Sequence, residues 1–218
     1  MTTARISDPQ PQPRGARGPY RSGVLRREQI LDAAVEVFGR HGYVGGSMRR
    51  IAELVGVSHA ALSRHFATKD ELLTAVLERS DAANGAAIAT DGDPLSELDA
   101  FARLVSANGE HRALVALLLT MAAEASDPDH PARTFMAARY ARTVENVSHL
   151  LVDAGAAGQT RLFSPAEAEF EARAFVALMD GLQLQWLLDP RIDLASTVAT
   201  AYAAIRDRWV SGPEASRR

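Results

Sequence analysis

Apolar residues recur at three- and four-residue spacing through nearly every segment after Val24, and no stretch sustains the alternation of a half-buried strand. The pattern predicts an all-α chain. A first helix is expected over about 26–41, with Ile30, Ala34, Val37 and Phe38 on one face and Gly42 as its stop. A short second helix should run from an N-capping Ser47 to Val55, and Gly56 breaks it. Ser58 caps a third that ends near Phe66. Thr68-Lys69-Asp70-Glu71 has the spacing of a capping box and opens a fourth.

The stretch 84–94, rich in Gly, Asp and Ala, reads as a weak point or linker. Asp93 and Pro94 then begin another helix, with proline where its missing N–H costs nothing. Further helices are expected at about 111–126, 131–154, 165–188 and 194–210, the third of these opened by a second capping box, Ser164 to Glu167. The expected organisation is an arm (1–23), a helix-turn-helix unit (24–80), a larger helical unit (81–212) and a short tail (213–218).

Two short helices joined by a tight glycine turn, Ser47 to Phe66, form a helix-turn-helix arrangement. Ile51, Ala52, Val55, Val57 and Leu62 would meet at the crossing, and Gly56 accepts the positive φ of the turn. The outward faces carry Arg49, Arg50, His59, Ser63, Arg64 and His65. A second helix of this kind can enter a major groove, and its N-terminus with the Ser58 hydroxyl suits phosphate oxygens. A tight hairpin with a merely solvated polar face would show the same pattern.

Charge adds to that picture. The formal net charge is −3, but basic side chains outnumber acidic ones up to Arg79 and the reverse holds from Ser80 onward. A basic front end on an acidic body suits a polyanion-binding unit attached to something else, although a basic arm can equally be a solvated tail. Arg14, Arg17 and Arg21 in the arm could reach a minor groove or phosphates. Cysteine is absent, so disulfides, thiolate metal sites and cysteine nucleophiles are excluded, which fits a cytoplasmic protein. No apolar run is long enough to span a membrane. Lys69 is the only lysine, an arginine bias that suggests a high-GC bacterial genome.

From about Arg27 to Leu77 the chain resembles the tetracycline-repressor (TetR) family of transcriptional regulators. The run is ordered and gap-free: Ile30-Leu31-Asp32-Ala33-Ala34, Val37-Phe38, His41-Gly42-Tyr43, then Ile51-Ala52, Gly56-Val57-Ser58, Leu62, His65-Phe66 and Lys69-Asp70-Glu71-Leu72-Leu73. The resemblance implies an all-helical homodimer that binds double-stranded operator DNA through its first helices. Carried over by position, it implies DNA contacts at Tyr43, Ser47, Arg49, Ser58, His59, Ala60, Ser63, Arg64, His65 and Lys69. Arg49 and Arg64 are the candidates for bidentate base readout, and Lys69 for a phosphate clamp. Many members carry tyrosine where this chain has Ser63, which shifts the expected specificity onto the arginines.

The remaining helices are too apolar to be single-faced surface helices. The resemblance suggests that the last two pair with their symmetry mates, through Phe175, Leu178, Leu182, Val198, Ala201, Tyr202, Ile205 and Trp209. Intramolecular packing is the alternative. A sensor cavity for a small apolar or amphipathic effector is expected among helices 94–188. Candidate lining residues are Phe101, Leu117, Leu118 and Met121, then Phe135, Met136, Tyr140 and Val144, then Met179 and Trp186. Glu124, Arg139 and Gln183 are candidate polar anchors.

The six histidines form no HxxxH or HExxH pair, and no nucleophile elbow, phosphate loop or dinucleotide fingerprint is present. No cofactor and no enzymatic activity are expected. The expected function is a dimeric repressor released by a ligand. A ligand-independent DNA-binding protein whose C-terminal unit only dimerises or recruits a protein, or an activator of the same fold, remains open.

Overall fold

The computed structural model describes residues 19–88 and 92–211, so Arg14, Arg17 and the tail lie outside the described residues. These residues form nine α-helices and one 3-10 turn, with no strand among them. They are α1 (Pro19–Gly45), α2 (Met48–Val55), α3 (His59–Ser63), α4 (Lys69–Ile88), α5 (Pro94–Ala107), α6 (Arg112–Glu124), α7 (Arg133–Ala156), α8 (Pro165–Leu188) and α9 (Leu194–Ser211). The 3-10 turn covers Asn108–Glu110.

The boundaries follow local chemistry. Ser47, Ser58, Asp93 and Ser164 cap α2, α3, α5 and α8, each side-chain oxygen accepting a backbone N–H of the first turn. At Ser164 the capping box is complete. At α4 it is shifted: Thr68 Oγ1 accepts from Glu71 N at 3.1 Å, while Glu71 reaches past Thr68 to the Ala67 amide at 2.7 Å. Two limits differ most from the sequence expectation. α1 starts at Pro19 rather than near Arg26, and α4 continues to Ile88 through the expected linker. Ala82, Ala83, Ala86 and Ala87 favour helix there strongly enough to carry Asn84 and Gly85.

Two apolar clusters make the core. One joins Ile30, Leu31, Ala34 and Phe38 of α1 to Ile51, Leu62, Phe66, Leu72, Leu73 and Val76, and is completed by Leu117 and Met121 of α6 and Met136 of α7. The other packs α5, α7, α8 and α9 around Leu98, Phe175, Met179, Val198, Ile205 and Trp209. The N-terminal unit therefore shares its core with α6. That sharing needs close approach: a Cβ on Gly39 of α1 would lie 2.5 Å from the Ala113 carbonyl oxygen of α6.

Candidate nucleic-acid interface and sensor chamber

α2 and α3 cross on Ile51, Ala52 and Leu62, all buried. Gly56, at φ 72°, ends α2, and Val57 N donates to Ala52 O at 3.0 Å, the Schellman closure that turns the chain into α3. α3 is a five-residue helix; Leu62 and Phe66 anchor it, and the Arg27 guanidinium lies 4.8 Å over the Phe66 ring. Ser58, His59, Ala60 and Arg64 are exposed, with Ser63 and His65 half-buried. Ser63 Oγ and His59 Nδ1 are 3.5 Å apart. On α2, the Ser47 hydroxyl oxygen accepts from Arg50 N at 3.2 Å, which leaves its O–H as a donor, and Arg49 is 84% exposed with its Nε 3.0 Å from Glu53. Among the described residues Arg64 and Arg50 carry no ion pair. Arg50 adds a cation that the carry-over by position did not include.

Tyr43 and Lys69 meet at the edge of this surface. The Lys69 ammonium sits 4.1 Å over the Tyr43 ring, and the Tyr43 hydroxyl donates to Asp70 Oδ1. Burial, then the Asp70 contact, push the Tyr43 hydroxyl up to about 12. Partial burial lowers the Lys69 ammonium, against the pull of Asp70 and Glu124. Desolvation, with Arg50 and Arg40 nearby, lowers the His41 imidazole.

The sensor region resolves into an outer cleft and an inner chamber. The cleft, about 460 Å³, lies between α4, α5 and α7 and is lined by Asp81, Asn84, Glu97, Phe101, Arg139, Arg142, Thr143 and Asn146, among others. It shares Asn84, Phe101, Arg139 and Thr143 with a chamber of about 70 Å³ between α5, α6, α7 and α8. Of the residues expected from sequence, Phe101, Leu118, Met136, Arg139, Tyr140, Met179 and Gln183 line the chamber.

The others do not. Leu117, Met121 and Phe135 belong to the N-terminal core because the opposite face of α6 and the first turn of α7 point there. Glu124 sits at the joint between the two units, where its carboxylate accepts the Tyr43 amide at 2.9 Å. Val144 borders an outer groove between α7 and α8. Trp186 lies under the Arg112 guanidinium at 5.0 Å, beside a separate shallow cleft.

Asp180 is the charged residue among the chamber residues that sequence reasoning missed, which also include Val105, Asn108, Val115, Leu119, Thr143 and Val176. The signal was present: one carboxylate inside the apolar run Phe175 to Leu184. It accepts the Tyr140 hydroxyl at 2.7 Å. Burial raises its carboxyl above the usual range, opposed by Tyr140 and Arg139.

The expected dimer residues also divide. Phe175, Val198, Tyr202, Ile205 and Trp209 are buried within the chain, where the Phe175 ring packs on Phe101, Tyr202 and Trp209 at 5.2, 5.8 and 5.7 Å. Trp209 Nε1 donates to Glu171 at 3.0 Å and Tyr202 Oη to Asp99 at 2.6 Å, which ties α9 to α8 and α5. The side chains of these five are packed into the chain's own core. Leu178 is exposed, and Leu182 and Ala201 are half-buried. The outward side of α8 instead shows Phe170, Ala174, Ala177, Gly181, Leu184 and Leu188, at alternating four- and three-residue spacing.

A helix-turn-helix with outward cations, carried on a larger helical unit with a ligand-sized cleft, defines a DNA-binding regulator. Residues 30–76 match the family model for bacterial regulatory proteins of the tetR family, and residues 95–209 match the C-terminal model of BetI-type transcriptional repressors. The chain belongs to the TetR family of transcriptional regulators.

The repressor AcnR of Corynebacterium diphtheriae is 42% identical over 67 residues, covering 31% of this chain and 35% of that protein. This match spans about a third of the relative's length. The nicotine-responsive repressor HdnoR of Paenarthrobacter nicotinovorans is 30% identical over 194 residues, covering 83% of this chain and 95% of that protein. A TetR regulator from Chloroflexus aurantiacus shares the fold, with a TM-score of 0.71 at 22% identity, covering 86% of this chain and 96% of that one. Among the described residues no helix is long and apolar enough to cross a membrane, and no cluster of potential metal ligands occurs.

Proposed function

We propose that this chain acts in the cytoplasm as a homodimeric repressor of a pseudo-palindromic operator, released when a small molecule enters the chamber. Residues 24–80 would form the DNA-binding unit and 81–212 the sensing and dimerising unit, with 1–23 as a basic arm. The observation that carries the reading is the double engagement of α6. Val115, Leu118 and Leu119 of α6 line the chamber, while Leu117 and Met121 complete the DNA-binding core and Glu124 holds Tyr43. One helix thus touches both the effector space and the DNA-binding surface. A ligand acts through it only by favouring one arrangement over the other.

The similarity, over 83% of this chain, to a repressor named for its response to nicotine supports a small-molecule effector. The exposed apolar stripe on α8 supports a dimer, which would place two recognition helices about 34 Å apart for successive major grooves. In this reading Arg64 and Arg49 read bases, Ser47, Ser58, Tyr43 and Lys69 hold phosphates, and His59, Ala60, Ser63 and His65 complete the surface.

Fluorescence anisotropy on DNA from upstream of the chain's own gene, against scrambled DNA and across salt, tests it. The expected result is a preference of about a thousandfold or more. Equal weak binding, followed by a random-library selection that enriches no palindrome, would overturn the reading.

A further inference from the structure

Lys69 is the only lysine of the chain, and apart from the α-amino group it carries the only primary amine. Its surroundings leave that amine without a carboxylate partner. Asp70, the next residue, accepts the Tyr43 hydroxyl. Glu124 of α6 accepts the Tyr43 amide at 2.9 Å and faces His130 at 3.4 Å. Both acids that act on Lys69 are thus engaged by Tyr43, and among the described residues Lys69 forms no ion pair. The ammonium rests instead on the Tyr43 ring, 4.1 Å from its centre, half-buried at the first residue of α4. Partial burial outweighs the pull of Asp70 and Glu124, so the amine gives up its proton more readily than an ordinary lysine.

Taking Lys69 as the phosphate contact of the preceding section, we propose that its amine is a modification site, acylated by small acyl phosphates, and that acylation weakens the hold on DNA. The neutral amine is the attacking species, and an ordinary lysine is almost wholly protonated at neutral pH. In the reaction the Lys69 nitrogen attacks the acyl carbonyl. A C–N bond forms, the carbonyl carbon–oxygen bond to phosphate breaks, inorganic phosphate leaves, and the nitrogen's spare proton passes to water. The exposed cations Arg49, Arg50 and Arg64 favour an anionic donor at this surface by the same charge that favours DNA. The product is a neutral amide, which keeps the apolar stem against Tyr43 and loses the charge that held a phosphate.

The full chain is treated with acetyl phosphate at neutral pH, once folded and once in urea, and Lys69 is followed by peptide mass. Lys69 should be acetylated faster in the folded chain than in the unfolded one, and bound duplex DNA should protect it. The treated wild type should bind all sequences more weakly, its salt dependence flattened by about one unit of slope for each modified copy. Lys69→Gln carries a neutral amide from the start and should bind like the treated wild type. Lys69→Arg keeps a cation but no acylable amine, so treatment should leave its affinity where it began.

Acetylation no faster in the folded chain, no protection by DNA, a treated wild type that binds like the untreated one, or an equal loss in Lys69→Arg would each overturn the inference. Scrambled DNA separates it from the repressor reading, because a phosphate contact is blind to sequence. Lys69-dependent loss of binding to scrambled DNA, without any preference for the upstream site, keeps the modification site and removes the operator. A strong preference that treatment does not touch keeps the operator and removes the modification site.

Discussion

Tyr43 and Glu124 are 81 positions apart in sequence, yet the Tyr43 amide donates to Glu124 Oε2 at 2.9 Å. The contact depends on the residue before it. Gly42 has φ 67° and ψ −177°, a region essentially reserved for glycine, and a Cβ there would run into the Glu124 carboxylate. His130 closes the same joint, its Nε2 3.4 Å from Glu124 Oε2 and its ring edge-on to Tyr43 at 5.1 Å. Its Nδ1 accepts the Ala132 amide at 3.1 Å, which assigns the proton to Nε2, facing the carboxylate. The last turn of α6 thus grips the residue whose ring carries Lys69.

Glu124→Ala should lower stability by about 1.5–3 kcal/mol, the range for a hydrogen bond to a charged group whose partner is left unsatisfied. Glu124→Gln keeps an acceptor oxygen and should lose less. Denaturant melts of both, paired with operator anisotropy, check this. A Glu124→Ala protein that melts like the wild type would remove the joint from any account of coupling. Gly42→Ala should cost about 1–3 kcal/mol from backbone conformation alone.

At the DNA surface, Arg64→Ala should cost about 1–3 kcal/mol and relax preference at one base position. Lys69→Ala should weaken all sequences alike and flatten the salt dependence by about one unit of slope. Selection of preferred sites by each variant distinguishes the two. If Arg64→Ala selects the wild-type sequence at wild-type affinity, base readout lies elsewhere, and Arg50 is the next guanidinium to test.

The DNA-binding end was legible because its signals are local. Ser47, Ser58 and Gly56 each fix a helix limit through bonds to residues within five positions. The sensor end was legible only as helices. On α6 apolar residues occupy both faces, so spacing alone could not say that Leu118 faces the chamber while Leu117 faces the other core. Glu124 looked like a pocket anchor for the same reason. On α8 and α9 the large aromatic residues drew attention as an interface, but their size is what fills the intramolecular core. The outward stripe is built partly from Ala174, Ala177 and Gly181, which in sequence read as ordinary helix.

Asp180 gives a pH signature. Its folded carboxyl is raised by burial, so the native state holds the proton more tightly than the unfolded chain. Stability should then fall as pH rises from just below 4 through the raised value, the reverse of a paired carboxylate. Asp180→Asn should be more stable than the wild type at neutral pH and gain little under acid. Thermal melts at both ends of that window check the sign. An Asp180→Asn protein less stable at neutral pH would mean that the carboxylate already has a counter-charge.

The outward stripe of α8 predicts how the chain pairs. Phe170 is 70% exposed, Leu184 50% and Leu188 78%, with Ala174, Ala177 and Gly181 between them. The small residues would let two copies of α8 cross closely, with larger ones filling the flanks. A two-fold axis makes the patch self-complementary, so one substitution acts twice. Ala177→Arg would bring two like charges together where the chain alone leaves open solvent. Like-charge juxtaposition costs several kcal/mol, so dissociation should strengthen by about a hundredfold or more. Because Ala177 is exposed in the chain, helicity should be unchanged. Light scattering behind size exclusion should then find a wild-type dimer and an Ala177→Arg monomer, the latter with weakened operator binding because one recognition helix must work alone. A wild type that stays monomeric at tens of micromolar, or a variant that stays dimeric, would move the interface off this face.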